Sequence, residues 1–334
     1  NNVFIKENPD KSWIKDVSSK SNKQAIMNSE KAFKRFFNKI SSFPKFKKKS
    51  HNNQKCYFFK NNKTDFEFYR HKIKIPTLKF VRLKEYGYIP KNTNIKSATI
   101  SKEGDRYFLS LILEIKKEIE KNSIQKNLQT KEGIGIDLGI KDFAICSDGQ
   151  VFKNINKTLK VRKIEKKLKR EQRKKSRKYL SCKKMEKNLY ECKNFQKQKL
   201  VIAKLFFKLN CIRNDYINKV VNMLTKTKLK CITIEDLKVS NMMKNRHLSK
   251  AISQQKFYEF RTKLLNKCKE KNIELRIVST FYPSSKLCSN CGNKKQDFKL
   301  KDRIYKCNYC GIEINRDYNA SLNLRNSTQY TILT

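Results

Sequence analysis

Glycine, histidine and acidic side chains are all scarce in this chain of 334 residues. Its 8 glycines are too few for the repeated Gly-rich loops that cradle nucleotide phosphates. The 3 histidines, His51, His71 and His247, stand far apart without partners, which removes an HNH-type site and a Cys/His nucleophile. His247 reads as a loop residue. No apolar run approaches the ~18 residues of a membrane span, and residues 1–10 lack the pattern of a signal peptide. An intracellular, cytoplasmic protein is expected. No Met stands at position 1, so the chain is also expected to start downstream of the true N-terminus.

Positive charge dominates what is present. Lys plus Arg number 79 against 30 Asp plus Glu, a formal net charge of +49. An AT-rich genome raises lysine but does not by itself account for so few acids. A large polyanion does: a duplex of ~20 bp carries ~40 phosphates, comparable to the excess. A small acidic substrate needs only a few cations. A membrane surface fits less well, because the basic stretches lack a sustained apolar face to insert. Nucleic acid is the expected partner, which places the protein with the nucleoid.

Of the 11 cysteines, seven (Cys56, Cys146, Cys182, Cys192, Cys211, Cys231 and Cys268) are scattered, as in a reducing compartment. The other four form two CxxC pairs, Cys288/Cys291 and Cys307/Cys310, separated by 15 residues. That is the pattern of a tetrahedral four-thiolate zinc site, structural because no position is left open for water. Gly292 and Gly311 follow the two pairs, where the metal loop needs a left-handed turn.

Taken in order, residues 1–45 read as helical. Ile26, Ser29, Phe33, Phe36, Phe37 and Ile40 recur at helical spacing, a stripe expected to pack as core or against another helix, with base stacking the minority reading. A basic run at 45–49 follows. Residues 54–115 alternate with period two, with a hairpin turn at Glu103-Gly104-Asp105, and suggest a small barrel or curled sheet. Its Lys72, Lys74, Lys79, Arg82 and Lys84 are expected to face nucleic acid. Residues 119–132 read as a linker.

GIGIDLG at 133–139 is an apolar strand ending at Asp137, and a second strand covers 143–146. Residues 153–178 hold 14 Lys or Arg and only Glu165 and Glu171 as acids, a basic helix whose charge repels itself unless phosphate is near. Lys163, Lys166, Lys167, Arg170, Arg173, Lys174 and Arg177 are its candidate nucleic-acid contacts. A second helix, about 186–224, pairs with it antiparallel. KCITIEDL at 230–237 is a strand ending in Glu235 and Asp236, followed by a polar loop at 238–250, a helix from 257 and a strand at 273–278. The layout is α/β with a partly parallel sheet.

Asp137 and Glu235 both end apolar strands, and Asp317 heads a helix, so three carboxylates converge at one sheet edge. Such a cluster repels itself unless it binds hard divalent cations, and two Mg²⁺ on shared carboxylates suit in-line phosphodiester cleavage. GIDLG alone also fits actin-like ATPases and sugar kinases, but their further phosphate loops are missing. Any one of these acids alone is more simply a cap or an ion-pair partner. The combined pattern outweighs that reading.

GIDLGIKDFAICSDG, ITIEDL, FYPSSKLCSNCG, YKCNYCG and NRDYNASLNL together resemble the TnpB family of transposon-encoded proteins, relatives of the compact type V CRISPR effectors. SEKAFKRFFNKISSFPKFKKK extends the resemblance over nearly the whole chain. It implies a RuvC/RNase H-like nuclease domain with an inserted zinc ribbon, preceded by a helical recognition segment and a small wedge β-barrel. The implied boundaries are 1–45 for the recognition segment and 46–130 for the barrel. The nuclease takes 131–282 with a basic helical insert at 153–228, the ribbon 283–312 and the last nuclease part 313–334. Carried over, Asp137, Glu235 and Asp317 are the catalytic, Mg²⁺-binding carboxylates, and Cys288, Cys291, Cys307 and Cys310 the zinc ligands. A guide RNA and a double-stranded DNA target are the implied partners, and a monomer is expected.

Two departures stand out. Asn315 occupies a position where many members carry an acid, and members usually begin with a further strand and helices. The alternatives are a non-catalytic zinc-ribbon binder or accessory transposase of a mobile element. A transposase joining strands itself needs a Tyr or Ser nucleophile in a recognisable motif, and none of the 14 tyrosines supplies one.

Overall fold

A computed structural model describes residues 6–46, 55–59, 65–90, 93–114, 132–227, 229–296 and 302–333. The chain divides into two compact units, residues 1–121 and 122–334.

In the first unit a 3-10 turn, Pro9–Asp16, precedes helix α1, Ser19–Phe37. The expected aromatic stripe lies on this helix, except for Ile40 beyond its end, but is not core: Ile26 is 65% exposed and Phe37 72%. Phe33, Phe36, Phe37 and Phe43 instead gather ring against ring at the C-terminal end of the helix. Periodicity fixes that side chains share a face, not that anything covers it.

Six strands follow: β1 (Lys55–Phe59), β2 (Phe68–Tyr69), β3 (Lys72–Ile75), β4 (Lys79–Arg82), β5 (Asn94–Glu103) and β6 (Arg106–Glu114). They form two antiparallel three-stranded sheets, β1-β5-β6 and β2-β3-β4. Phe58, Phe66, Ile73, Ile75, Ile95 and Ala98 make one core between them. Among the described residues no strand pairing joins the sheets into a closed barrel. The predicted turn is present, with Gly104 at φ +65. Lys72, Lys79, Arg82 and Lys84 are exposed. Lys74 is half-buried, and its ammonium lies 2.6 Å from Glu67. Most of the predicted linker and of the 45–49 basic run lies outside the described residues.

The second unit is built on a six-stranded mixed sheet. Its elements are β7 (Ile134–Leu138), β8 (Asp142–Cys146), β9 (Val151–Lys153), α2 (Leu159–Lys184), α3 (Lys193–Leu224), β10 (Cys231–Glu235), α4 (Val239–Met242), α5 (Ser249–Gln255), α6 (Phe257–Lys271), β11 (Glu274–Val278), β12 (Ile304–Lys306), β13 (Glu313–Asn315), α7 (Arg316–Asn326) and β14 (Thr331–Leu333). The strand order is β14-β11-β10-β7-β8-β9. β10 runs parallel to both β7 and β11, and the remaining pairs are antiparallel. Ile136, Ile232, Ile234 and Leu275 pack one face against Phe257, Phe260 and Leu264 of α6 and Val220 and Leu224 of α3. No described helix is long and apolar enough to cross a membrane.

The basic helix begins at Leu159, later than expected, because Val151–Lys153 pairs with β8 as an edge strand. Asn154 then turns the chain, its side chain accepting the Asn156 N–H at 2.9 Å. α2 and α3 are antiparallel: Arg213 reaches Glu165 at 3.0 Å and Gln198 reaches Glu171 at 2.7 Å. Val161, Leu168, Ile202, Leu205 and Leu209 form the seam. The polar loop expected at 238–250 contains α4 and the start of α5, with His247 in the exposed turn between them.

Candidate active site and metal centre

β7 and β10 are parallel neighbours in which Ile136 pairs with Ile234, so Asp137 and Glu235, the next residue on each, arrive side by side. They lie at the carboxyl edge of the strands, where open α/β sheets place their sites. Asp317 comes from the first turn of α7. The approach of that helix is set by Gly135. A Cβ there would lie 2.1 Å from the Ser321 carbonyl oxygen and 2.4 Å from the Arg325 nitrogen. Residue 135 faces away from Ile134 and Ile136, so α7 lies directly on the sheet face opposite α6. The first turn of α7 is thereby brought to Asp137.

The electrostatics agree with this convergence. Burial pushes Asp137 up to about 7, and the charges of Asp317 and Glu235 push the same way, with Arg316 opposing. Burial, then the adjacent Asp236, pushes Glu235 up to about 7. Asp236 is not a fourth member of the cluster. Its carboxylate is held by Lys238 and by Arg261 at 2.6 Å, and these bonds lower it below the ordinary range. Asn315 is the N-cap of α7, its oxygen accepting N–H groups of Asp317 at 3.0 Å and Tyr318 at 3.2 Å. An uncharged cap does the local work at this position. Arg303, which the sequence reading passed over, stands 3.7 Å from Asp317.

The metal centre is more compact. The sulfurs of Cys288, Cys291, Cys307 and Cys310 all lie within 4.8 Å of one another, the one such group of three or more His, Cys, Asp or Glu ligand atoms among the described residues. The three carboxylates converge more loosely. Cys288 and Cys310 are 3.6 Å apart, as are Cys291 and Cys307. A tetrahedron with ~2.3 Å metal–sulfur bonds has edges of ~3.8 Å, and an all-thiolate donor set suits zinc. Gly292 and Gly311 adopt φ +73 and +72, the left-handed turns their positions require. The Ile312 N–H, followed by the Asn290 side chain, lowers Cys310 to about 6, which favours the thiolate a metal needs.

The ribbon is fastened to α7. Asn319, wholly buried, donates to the Leu287 carbonyl at 2.6 Å and accepts the Ser289 N–H at 3.0 Å. One turn on, Asn323 donates to the carbonyls of Ser284 at 2.7 Å and Leu287 at 2.8 Å. The loop carrying the first Cys pair is thus bonded to the helix that carries Asp317.

On α2, Lys163, Lys166, Lys167, Arg170, Arg173, Lys174 and Arg177 are all exposed. Spacings of three and four place them on one face. An open groove of about 630 Å³ runs among Lys163, Lys166, Lys167, Arg170 and Arg173. The two acids of the basic stretch, Glu165 and Glu171, are bonded to Arg213 and Gln198 on the packed side. Among the described residues, Lys174 alone of the seven reaches an acid, Glu171, at 3.0 Å.

Residues 113–246 match a family model described as "Probable transposase", and residues 257–324 one described as "Cas12f1-like, TNB domain". A protein of Escherichia coli (strain K12) named "Putative RNA-guided DNA endonuclease InsQ" is 29% identical over 327 residues, covering 93% of this chain and 75% of that protein. A "Putative RNA-guided DNA endonuclease" of Streptomyces pristinaespiralis is 26% identical over 321 residues, covering 96% and 74%. In fold the chain resembles the protein of a Cas12f1-sgRNA-target DNA complex, with TM-score 0.55 at 20% identity over 88% of this chain and 68% of that one.

Proposed function

The chain belongs to the TnpB family of transposon-encoded proteins, and on that premise we propose that it is an RNA-guided DNA endonuclease with a RuvC-like, RNase H-type catalytic core. The observation that carries this reading is the meeting of Asp137, Glu235 and Asp317, from three distant parts of the sequence, at one sheet edge. Burial, first of all, holds Asp137 and Glu235 at about 7, with the charges of Asp317 and Glu235 adding to it at Asp137 and that of Asp236 at Glu235. Two Mg²⁺ bound there would supply activation of water and stabilisation of the leaving 3′ oxygen.

The chain's own residues orient the reaction. Gly135 lets α7 present Asp317, Asn315 fixes the first turn of that helix, and the ribbon, a structural zinc site, holds substrate over the carboxylates. The acid-free face of α2 grips guide RNA and heteroduplex by their phosphates and A-form shape. The target is double-stranded DNA, met in the cytoplasm at the nucleoid.

Retargeting tests the guided part of this reading. RNA co-purifying with the full chain is sequenced, its variable segment is replaced, and cleavage of plasmids matching the old or new segment is compared. Cutting follows the segment if the protein is guided. Cutting that ignores the segment, or a random population of bound RNA, contradicts it.

A further inference from the structure

We propose that the notch beside Glu235 is a nucleotide subsite, in which Tyr258 stacks on the base next to the scissile phosphate and Arg261 holds the adjoining backbone phosphate. The proposal rests on the nuclease reading of Asp137, Glu235 and Asp317.

Tyr258 is 75% exposed, although Phe257 and Phe260 beside it on α6 are buried in the core. Those neighbours fix the backbone under a ring that contributes no packing of its own. Among the described residues no other side chain holds the Tyr258 ring or hydroxyl. The ring stands on the rim of a notch floored by Leu138, Ile234 and Phe257, with Glu235 and Arg261 in its wall. The notch has a volume of about 20 Å³, enough for about one water and far too little for a base. A base at this place must therefore lie over the rim, against the ring. Stacking of this kind tolerates every sequence, because every base has a π-face. A guided nuclease needs that tolerance, since its target is chosen elsewhere.

Arg261 is three residues on, hence on the same face of α6. Its NH1 lies 2.6 Å from Asp236, whose second oxygen is taken by Lys238. Among the described residues this is its one hydrogen-bonding partner, which fixes the guanidinium and leaves the rest of its fork of donors for a phosphate. Ring, cation and Glu235 thus share one opening.

The test uses the full chain with the RNA it carries. In an Asp137→Asn background, single-stranded DNA with 2-aminopurine placed at successive positions should be quenched at one position. The quench should persist in Tyr258→Phe and vanish in Tyr258→Leu. An uncharged methylphosphonate at the adjoining linkage should weaken binding about tenfold or more, and by much less in Arg261→Gln. With Asp137 restored, an abasic nucleotide at the quenched position should slow cleavage about 5- to 150-fold. Tyr258→Leu should slow it similarly, and the two together no further. Quenching indifferent to Tyr258→Leu, or independent multiplication of the two defects, overturns the proposal. If quenching behaves as stated but no cleavage occurs, the nuclease reading fails and the stacking site stands.

Discussion

Asp137 and Glu235 stand one residue beyond the paired Ile136 and Ile234 of two parallel strands, and both carboxyls are pushed up to about 7. Their ordinary values are 3.8 and 4.5, so between about pH 4 and pH 7 the folded chain holds protons that the unfolded chain releases. Stability of the metal-free protein should fall as pH rises through that window and level off above it. Asp137→Asn, removing one of the opposed charges, should stabilise the metal-free protein at pH 8 by roughly 2–4 kcal/mol. Urea titrations across pH check both; a stability that rises from pH 4 to 7, with no gain from Asp137→Asn, contradicts the buried-charge description.

Gly135→Ala should be severe for a residue so small. Its methyl would meet backbone atoms of Ser321 and Arg325 at 2.1 and 2.4 Å, and backbone cannot rotate aside. A loss of about 3 kcal/mol or more is expected. A protein that still folds should have α7 displaced and cleavage lost. A crystal structure of the variant with α7 in place would dispose of this explanation.

The ribbon should matter to cleavage although it contributes no catalytic carboxylate, because Asn319 and Asn323 bond its first loop to the helix of Asp317. Mass spectrometry under native conditions should find about one zinc per chain. Cys307→Ser should lose the metal and reduce cleavage about tenfold or more. Undiminished cutting by a zinc-free protein that remains folded would show that ribbon and active site act separately.

Charge on the outward face of α2 should be read by salt. Replacing Arg170 and Arg173 by Gln should leave the melting temperature within about 2 °C, since both side chains are exposed. The log–log salt dependence of RNA binding should flatten by about 2 if each side chain meets one phosphate. An unchanged slope would remove this face from the interface.

Much of the site's placement was legible because its signals are local. A strand that ends in an acid, as at Asp137 and Glu235, and a CxxC followed by glycine, as at Cys288 to Gly292, can each be read within a few residues. The ties that assemble them could not. Gly135 reads as one glycine of a strand until Ser321 is known to lie over it, and Asn319 and Asn323 read as poor helix formers until the ribbon loop is seen against them. The same limit produced the error on α1, where Phe33, Phe36 and Phe37 keep helical spacing without being buried by any of the described residues. Strands β9 and β14 are three residues each, too short to show a period, and take their structure from the sheet edges they join.

The most direct measurement is divalent-dependent cleavage of a matched plasmid by the full chain with its RNA, wild type beside Asp137→Ala. The predicted result is cutting by wild type only when Mg²⁺ is supplied, with the variant reduced by at least about a thousandfold while binding RNA as wild type does. Equal cutting by the two proteins, or cutting that persists in excess chelator, would contradict the assignment of Asp137, Glu235 and Asp317 as the catalytic centre.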